Sequence, residues 1–205
     1  QAQQTWTRTY TLTGADAGRY FESYGAAIEA LRKRAGEYAD AESRPSISVK
    51  LSALHPRFER AQRGRVLAEL GPRLVDLCVT AQQAGIALTL DAEESERLEL
   101  TLELLEHACR DPRLDGWNGF GLAVQAYQKR APAVLRQLVA LARDTRRTLN
   151  VRLVKGAYWD SEVKRCQERG LPGYPVFTRK PNTDVSYLAC ARFLLEQGHG
   201  LHPQF

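Results

Sequence analysis

Methionine is absent from all 205 residues, so the chain does not start at an initiator and is expected to be a piece of a longer protein. There is no CxxC pair. Cys78, Cys109, Cys166 and Cys190 stand far apart with no histidine at ligand spacing, which argues against a zinc ribbon or a disulfide framework and reads as four reduced, packing thiols. No apolar run approaches the roughly 20 residues of a membrane span. The N-terminal QAQQTWTRTY lacks the basic-then-apolar order of a signal peptide, so a soluble, cytoplasmic chain is expected. No GxGxxG follows an apolar run, and GFGLAVQ carries its glycines ahead of one, so a dinucleotide-binding Rossmann domain loses its main support. A basic stripe is missing too. The formal charge of +5 arises from arginines interleaved with acids, as in RDTRRTLN and EESERLEL, and nucleic acid is not an expected partner of this segment.

With 43% hydrophobic and 26% charged residues, the chain has the makings of one globular domain with a real core. Short apolar, β-branched segments alternate with helical periodicity. The segment SISVKLSAL (46–54) precedes a helix over 64–85, IALTLDAE (86–93) one over 96–110, GFGLAVQAY (119–127) one over 131–147, and LNVRLVKGAY (149–158) a polar one near 160–170. An amphipathic helix over 11–36 comes first, with Tyr20, Tyr24, Ile28 and Leu31 on one side. A last helix over 182–198 has Asn182 or Thr183 as its cap, and the chain ends at GLHPQF, entering another element. Between them RGLPGYPVFTRKP (169–181), with three prolines and two glycines, is a long loop on a functional rim or a connector. Strands alternating with helices predict right-handed crossovers and a parallel sheet. Because complete (β/α) barrels need about 250 residues, five or six units of one are expected here.

Five polar residues inside or just past these apolar strands lie towards their carboxyl ends: Lys50, Asp91, Gln125, Arg152 and Lys155. In a parallel barrel that rim is where the site is built. Buried cations need partners, and for Arg152 and Lys155 the alternatives are a solvent-facing strand edge, a structural ion pair or a bound anion. Lys50 and Asp91 read equally as an ion pair, Gln125 as a cap on a backbone carbonyl, Tyr158 and Trp159 as packing, and His55 as a loop histidine.

Six motifs in order, ISVKLSALHPRFE, LTLDAEESERLEL, GLAVQAYQKRAP, VRLVKGAYWDSEVKRCQ, YPVFTRKPNTDVSYLACA and HPQF, resemble the proline dehydrogenase domain of the bifunctional proline utilization A family. The resemblance covers residues 11–205. It implies an α/β fold, a (β/α)8 (TIM-type) barrel that is incomplete in this chain and preceded by an N-terminal helix, with residues 1–10 a tag, linker or spliced end. It implies FAD as cofactor, L-proline as substrate, hydride transfer from proline C5 to flavin N5, and a quinone as electron acceptor. It further implies peripheral contact of the full protein with the inner membrane face, and NAD chemistry only in a separate aldehyde dehydrogenase domain.

By the same resemblance Arg152 donates to flavin N5 and Gln125 contacts the isoalloxazine edge. Lys155, Gly156, Ala157, Tyr158 and Trp159 form the cofactor turn, with Tyr158 also walling the proline pocket, and Thr178, Arg179 and Lys180 reach the cofactor from the next loop. Lys50 pairs with the proline carboxylate and Asp91 holds the polar network. Two rivals stand beside this reading: a Schiff-base aldolase using Lys50, and a non-catalytic fragment that folds only with the rest of a barrel.

Overall fold

The computed structural model describes residues 13–35, 37–38, 45–198 and 200–205. Residues 1–10, expected as a tag, linker or spliced end, and the first two positions of the 11–36 helical segment lie outside them. Helix α1, Gly14–Ala35, is started by a reciprocal cap: the Asp16 N–H donates to Thr13 Oγ1 (3.2 Å) and the Asp16 carboxylate accepts from the Thr13 N–H (2.9 Å). Arg32, Lys33 and Arg34 close its last turn, where the helix dipole favours cations. Its Tyr20, Phe21, Tyr24, Ile28 and Leu31 pack onto the core, as the periodicity predicts.

Strand β1 is Ser46–Val49, shorter than the apolar run 46–54. The chain turns at Lys50, which caps the one-turn helix α2, Leu51–Leu54. Helix α3, Arg63–Ala84, ends at Gly85, whose φ of 67° lets the Ile86 N–H return to the Ala81 carbonyl (2.9 Å). There follow β2 (Ala87–Leu90), α4 (Leu98–Cys109), β3 (Phe120–Gln125), α5 (Ala131–Thr145), β4 (Leu149–Val154), α6 (Trp159–Glu168), α7 (Lys180–Glu196) and β5 (Leu201–Gln204). The N-cap of α7 lies three residues before Asn182, the nearer of the two expected caps. Arg179, extended at φ −115°, is its N-cap, and Pro181 fits the first turn because its missing N–H has no partner there in any case. The terminal segment does enter a new element, β5.

All four strand pairings are parallel, in the order β1-β2-β3-β4-β5. Sequential order without reversal gives no switch point of the doubly wound kind, and among the described residues the sheet is not closed. The fold is therefore a parallel α/β section of the (β/α) barrel type. Every residue of β3 is buried, as are Leu88, Leu90, Val151 and Leu153 on its neighbours, which is why these strands read as continuous apolar runs rather than alternating ones. Within the described residues no helix is long and apolar enough to cross a membrane.

Gly121 of β3 faces Asn150 of β4, and a Cβ there would overlap the Asn150 carbonyl oxygen, a backbone atom that cannot move without opening the sheet. Gly25 of α1 has open space around it. Gly25→Ala is expected to stabilise by about 0.5–1 kcal/mol, and Gly121→Ala to destabilise by about 1–3 kcal/mol or more despite being the same substitution. Urea unfolding midpoints of the two variants check this; a gain at Gly121 would show that the strands are not held at this spacing.

Candidate functional site

The parallel register sets the carboxyl ends of the strands side by side, with Val49 opposite Leu90, Leu90 opposite Leu122, and Ala123 opposite Arg152. Lys50, Asp91, Gln125 and Arg152 consequently line one cavity of about 260 Å³, whose wall continues through Ala123, Val154, Lys155, Gly156, Ala157 and Tyr158. The rim that the sequence pattern singles out is one place in space.

Arg152 is the structural centre of that rim. Its Nη2 lies 2.5 Å from Asp91 Oδ1 at the end of β2, and its Nη1 donates to Ser48 Oγ of β1 at 2.7 Å. A side chain rooted in the fourth strand reaches the first and second only if the sheet curls and the guanidinium stands on its concave face. Strand β4 lies between β3 and β5, so the solvent-facing edge reading fails for Arg152; Lys155 lies just past the strand, exposed and paired with Asp184. The ion pair that forms on Asp91 is with Arg152, correcting the sequence-based pairing of Asp91 with Lys50. Lys50 stands at the mouth as the cap of α2, its N–H donating to the Tyr24 hydroxyl at 3.1 Å.

Gln125 is 4% exposed and has both ends of its amide committed: Nε2 donates to the Glu93 carbonyl (2.9 Å) and Oε1 accepts from the Ala157 N–H (3.0 Å). It caps backbone, as one reading held, while still lining the cavity. The effect is to tie the loop after β2 to the turn after β4. That turn is shaped by Gly156, whose φ of 153° disfavours a side chain and whose absent Cβ leaves room for the Tyr127 ring to lie against the backbone.

A second cavity, of about 340 Å³, adjoins the first through Lys155 and Gly156 and is walled by Tyr127, Trp159, Phe177, Thr178, Lys180 and Thr183. Lys155 (2.5 Å) and Lys180 (2.7 Å) share Asp184, and the two ammonium groups hold its carboxyl below the usual range. Trp159 donates its indole N–H to the Phe177 carbonyl (3.0 Å), and the loop is pinned further by Phe177 N–H to Tyr127 O (2.8 Å). Of the expected cofactor residues, Thr178 and Lys180 are here, whereas Arg179 is exposed at the head of α7 and lines neither cavity. His55 is buried in its loop, with Nδ1 accepting from the Arg57 N–H (3.1 Å) and Nε2 3.2 Å from Glu69, and belongs to neither cavity.

Sequence reasoning missed Ser48, Tyr24, Glu93 and Asp184. Ser48 was detectable as a polar break in β1, and Glu93 as the second acid of the DAEES stretch. Glu93 is 7% exposed, receives the Ser52 N–H (3.0 Å) and pairs with Arg97 (2.5 Å). Tyr24 and Asp184 carry no local signal, since each reaches the site only through helix packing.

A family model described as proline dehydrogenase matches residues 6–205. The chain is 57% identical over 194 residues to the bifunctional protein PutA of Salmonella typhimurium, and 51% identical over 193 residues to that of Rhizobium meliloti. The alignments cover 95% and 94% of this chain, and the chain spans 15% of the length of each relative. A crystal structure of a proline utilization A variant from Bradyrhizobium japonicum superposes with a TM-score of 0.93 at 57% identity, covering 96% of this chain and 20% of that one. The proline utilization A of Bdellovibrio bacteriovorus inactivated by N-propargylglycine superposes with a TM-score of 0.88 at 29% identity, over 95% of this chain and 21% of that one.

Burial pushes the Tyr158 hydroxyl up to about 12, with Glu93, Glu94 and Asp91 adding to the effect. Tyr24 and Tyr127 are raised by burial as well. A raised tyrosine stays neutral in the folded chain above pH 10, where the unfolded chain ionises and binds fewer protons. Stability is thus unaffected below pH 10 and is expected to fall from there until about pH 12. Tyr158→Phe should flatten part of that decline in unfolding measured from pH 8 to 12; an unchanged slope would mean that Tyr158 is solvated.

Proposed function

The chain belongs to the proline dehydrogenase family, and from that premise we propose that its two adjoining cavities form the FAD and proline site of an enzyme that oxidises L-proline to 1-pyrroline-5-carboxylate. The observation that carries this reading is Arg152, a permanent cation held on the concave face of the sheet by Asp91 and Ser48. The donor set suits the cofactor. Lys155 and Lys180 offer positive charge to a pyrophosphate, Tyr127, Trp159 and Phe177 offer flat apolar wall, and Gly156 lets the Tyr127 ring pack flat against the turn. FAD, when bound, supplies the two-electron acceptor for the hydride leaving proline C5.

The residues of the chain supply placement and charge. Lys50, at the cavity mouth, attracts the substrate carboxylate as a point charge. Arg152 stabilises negative charge that grows during the reaction more than charge already present, and so lowers the barrier rather than only tightening binding. Asp91 keeps the guanidinium from swinging out, which removes a reorganisation cost at the moment of reaction. Tyr158, neutral at any physiological pH, walls the pocket against water. Gln125 holds the 155–159 turn in register through the Ala157 N–H. Reoxidation by a quinone, peripheral contact of a longer protein with the inner membrane face, a cytoplasmic location, and NAD chemistry in a separate aldehyde dehydrogenase domain belong to the same proposal and are supported by family membership alone.

In the flavin-loaded protein, Arg152→Ala is expected to slow proline-dependent flavin reduction by about 2–4 kcal/mol of barrier while changing proline affinity far less. Stopped-flow absorbance separates the two effects. Reduction at the parental rate with weak proline binding would move Arg152 to the substrate carboxylate. A borohydride-trapped imine on Lys50, with no flavin reduction, would replace the reading by Schiff-base chemistry.

A further inference from the structure

Glu162, four residues beyond Tyr158 on α6, is 0% exposed, the most deeply buried charged side chain among the described residues. A carboxylate taken fully out of water is costly unless every lone pair is used. Here Oε1 accepts the Ser95 N–H (2.5 Å), Oε2 accepts the Ser95 hydroxyl (2.7 Å), and the Arg165 guanidinium closes the shell. Arg165 is steadied in turn by Glu96 (3.0 Å), and the Ser95 carbonyl receives Arg130, which also pairs with Glu99 (3.3 Å). All three polar groups of Ser95 are engaged.

The position of this cluster gives it a consequence for the cavity. Ser95 lies in the loop after β2, two residues from the Glu93 carbonyl that Gln125 holds, and Glu162 lies in the first turn of α6, its N–H bonded to the Tyr158 carbonyl (2.9 Å). Two parallel ties therefore join the same pair of segments across β3. One runs Glu93–Gln125–Ala157 on the amino side of Tyr158, the other Ser95–Glu162 on its carboxyl side. Tyr158 stands half-buried between them and is part of the cavity lining.

We propose that Glu162 and Ser95 are positioning residues, a buried clasp that fixes where the Tyr158 ring stands and so sets affinity for the small carboxylate substrate. The inference rests on the reading of this cavity as the proline site. Glu162→Gln keeps the volume but turns an NH₂ towards the Ser95 donors or Arg165, so the clasp opens without leaving a cavity. In the flavin-loaded protein it is expected to raise the proline KM about tenfold, the worth of one charged hydrogen bond, with flavin reduction at saturating proline within about twofold. Ser95→Ala should act in the same direction and less strongly, and carries the test if Glu162→Gln does not fold. In a Tyr158→Ala background neither change should raise KM further, because the ring they position is gone. Amide hydrogen exchange gives a readout independent of turnover: residues 155–159 should lose at least about tenfold in protection in Glu162→Gln. An equal KM rise with and without the Tyr158 ring, a fall in the saturating rate at constant KM, or unchanged exchange over 155–159 would each overturn the clasp. Absence of proline-dependent flavin reduction in the parent would sink the proline reading instead, and the exchange arm would then decide the clasp alone.

Discussion

A guanidinium on the inner face of a parallel sheet is the constraint around which this fold is arranged. Arg152 cannot be neutralised, so the strand that carries it must bring it water, an acid or an anion. It is 34% exposed and Asp91 20%, so the pair sits at a wet mouth rather than in a dry core, where the cost of desolvating two ions could exceed their attraction. Asp91 directly follows β2 and Ser48 lies in β1, and their bonds to Arg152 therefore work as struts across the curl of the sheet. They tie strands one, two and four together above the backbone register that aligns Lys50, Asp91 and Gln125 along a single rim.

The turn after β4 answers a different requirement, that its backbone accept an aromatic ring in close contact. Gly156 meets it by having no Cβ where the Tyr127 ring stands, and Tyr127 is placed just past β3, whose end also supplies Gln125. The same short segment, 125–128, thus supports the turn from below and clamps it from the side, and through Tyr127 it also anchors the loop that carries Phe177 and Thr178. Precision at a site comes from such supporting contacts as much as from the groups that touch a ligand.

What was legible in the sequence follows from which forces are local. The alternation of apolar strands with amphipathic helices is written residue by residue, so the parallel sheet and the order of its elements could be read directly. The rim could be read too, because a polar residue interrupting an apolar run is a local anomaly. Partner choice could not. Asp91 and Arg152 lie 61 residues apart, and nothing near either says that the acid turns to the arginine rather than to Lys50. Glu162 was hidden differently: in WDSEVKRCQ it looks like one more charge on a polar helix, and only packing against the β2 loop makes it the most buried acid described. Arg179, which the motif likeness places among the cofactor residues, caps α7 with its backbone and lines neither cavity.

The charges around the two cavities also decide what kind of ligand they favour. Lys50, Arg152 and Lys155 line the first against one acid, Asp91, and Lys155 and Lys180 line the second with Asp184 beside them. Three cations around one small cleft would repel each other strongly if none were screened, and the two aspartates lower that repulsion while leaving the walls positive. A cleft lined by one sign of charge over apolar surroundings concentrates anions of the opposite sign. The aspartates are thus better understood as moderators than as competitors: they fix the cations in place and leave the walls of both cavities positive.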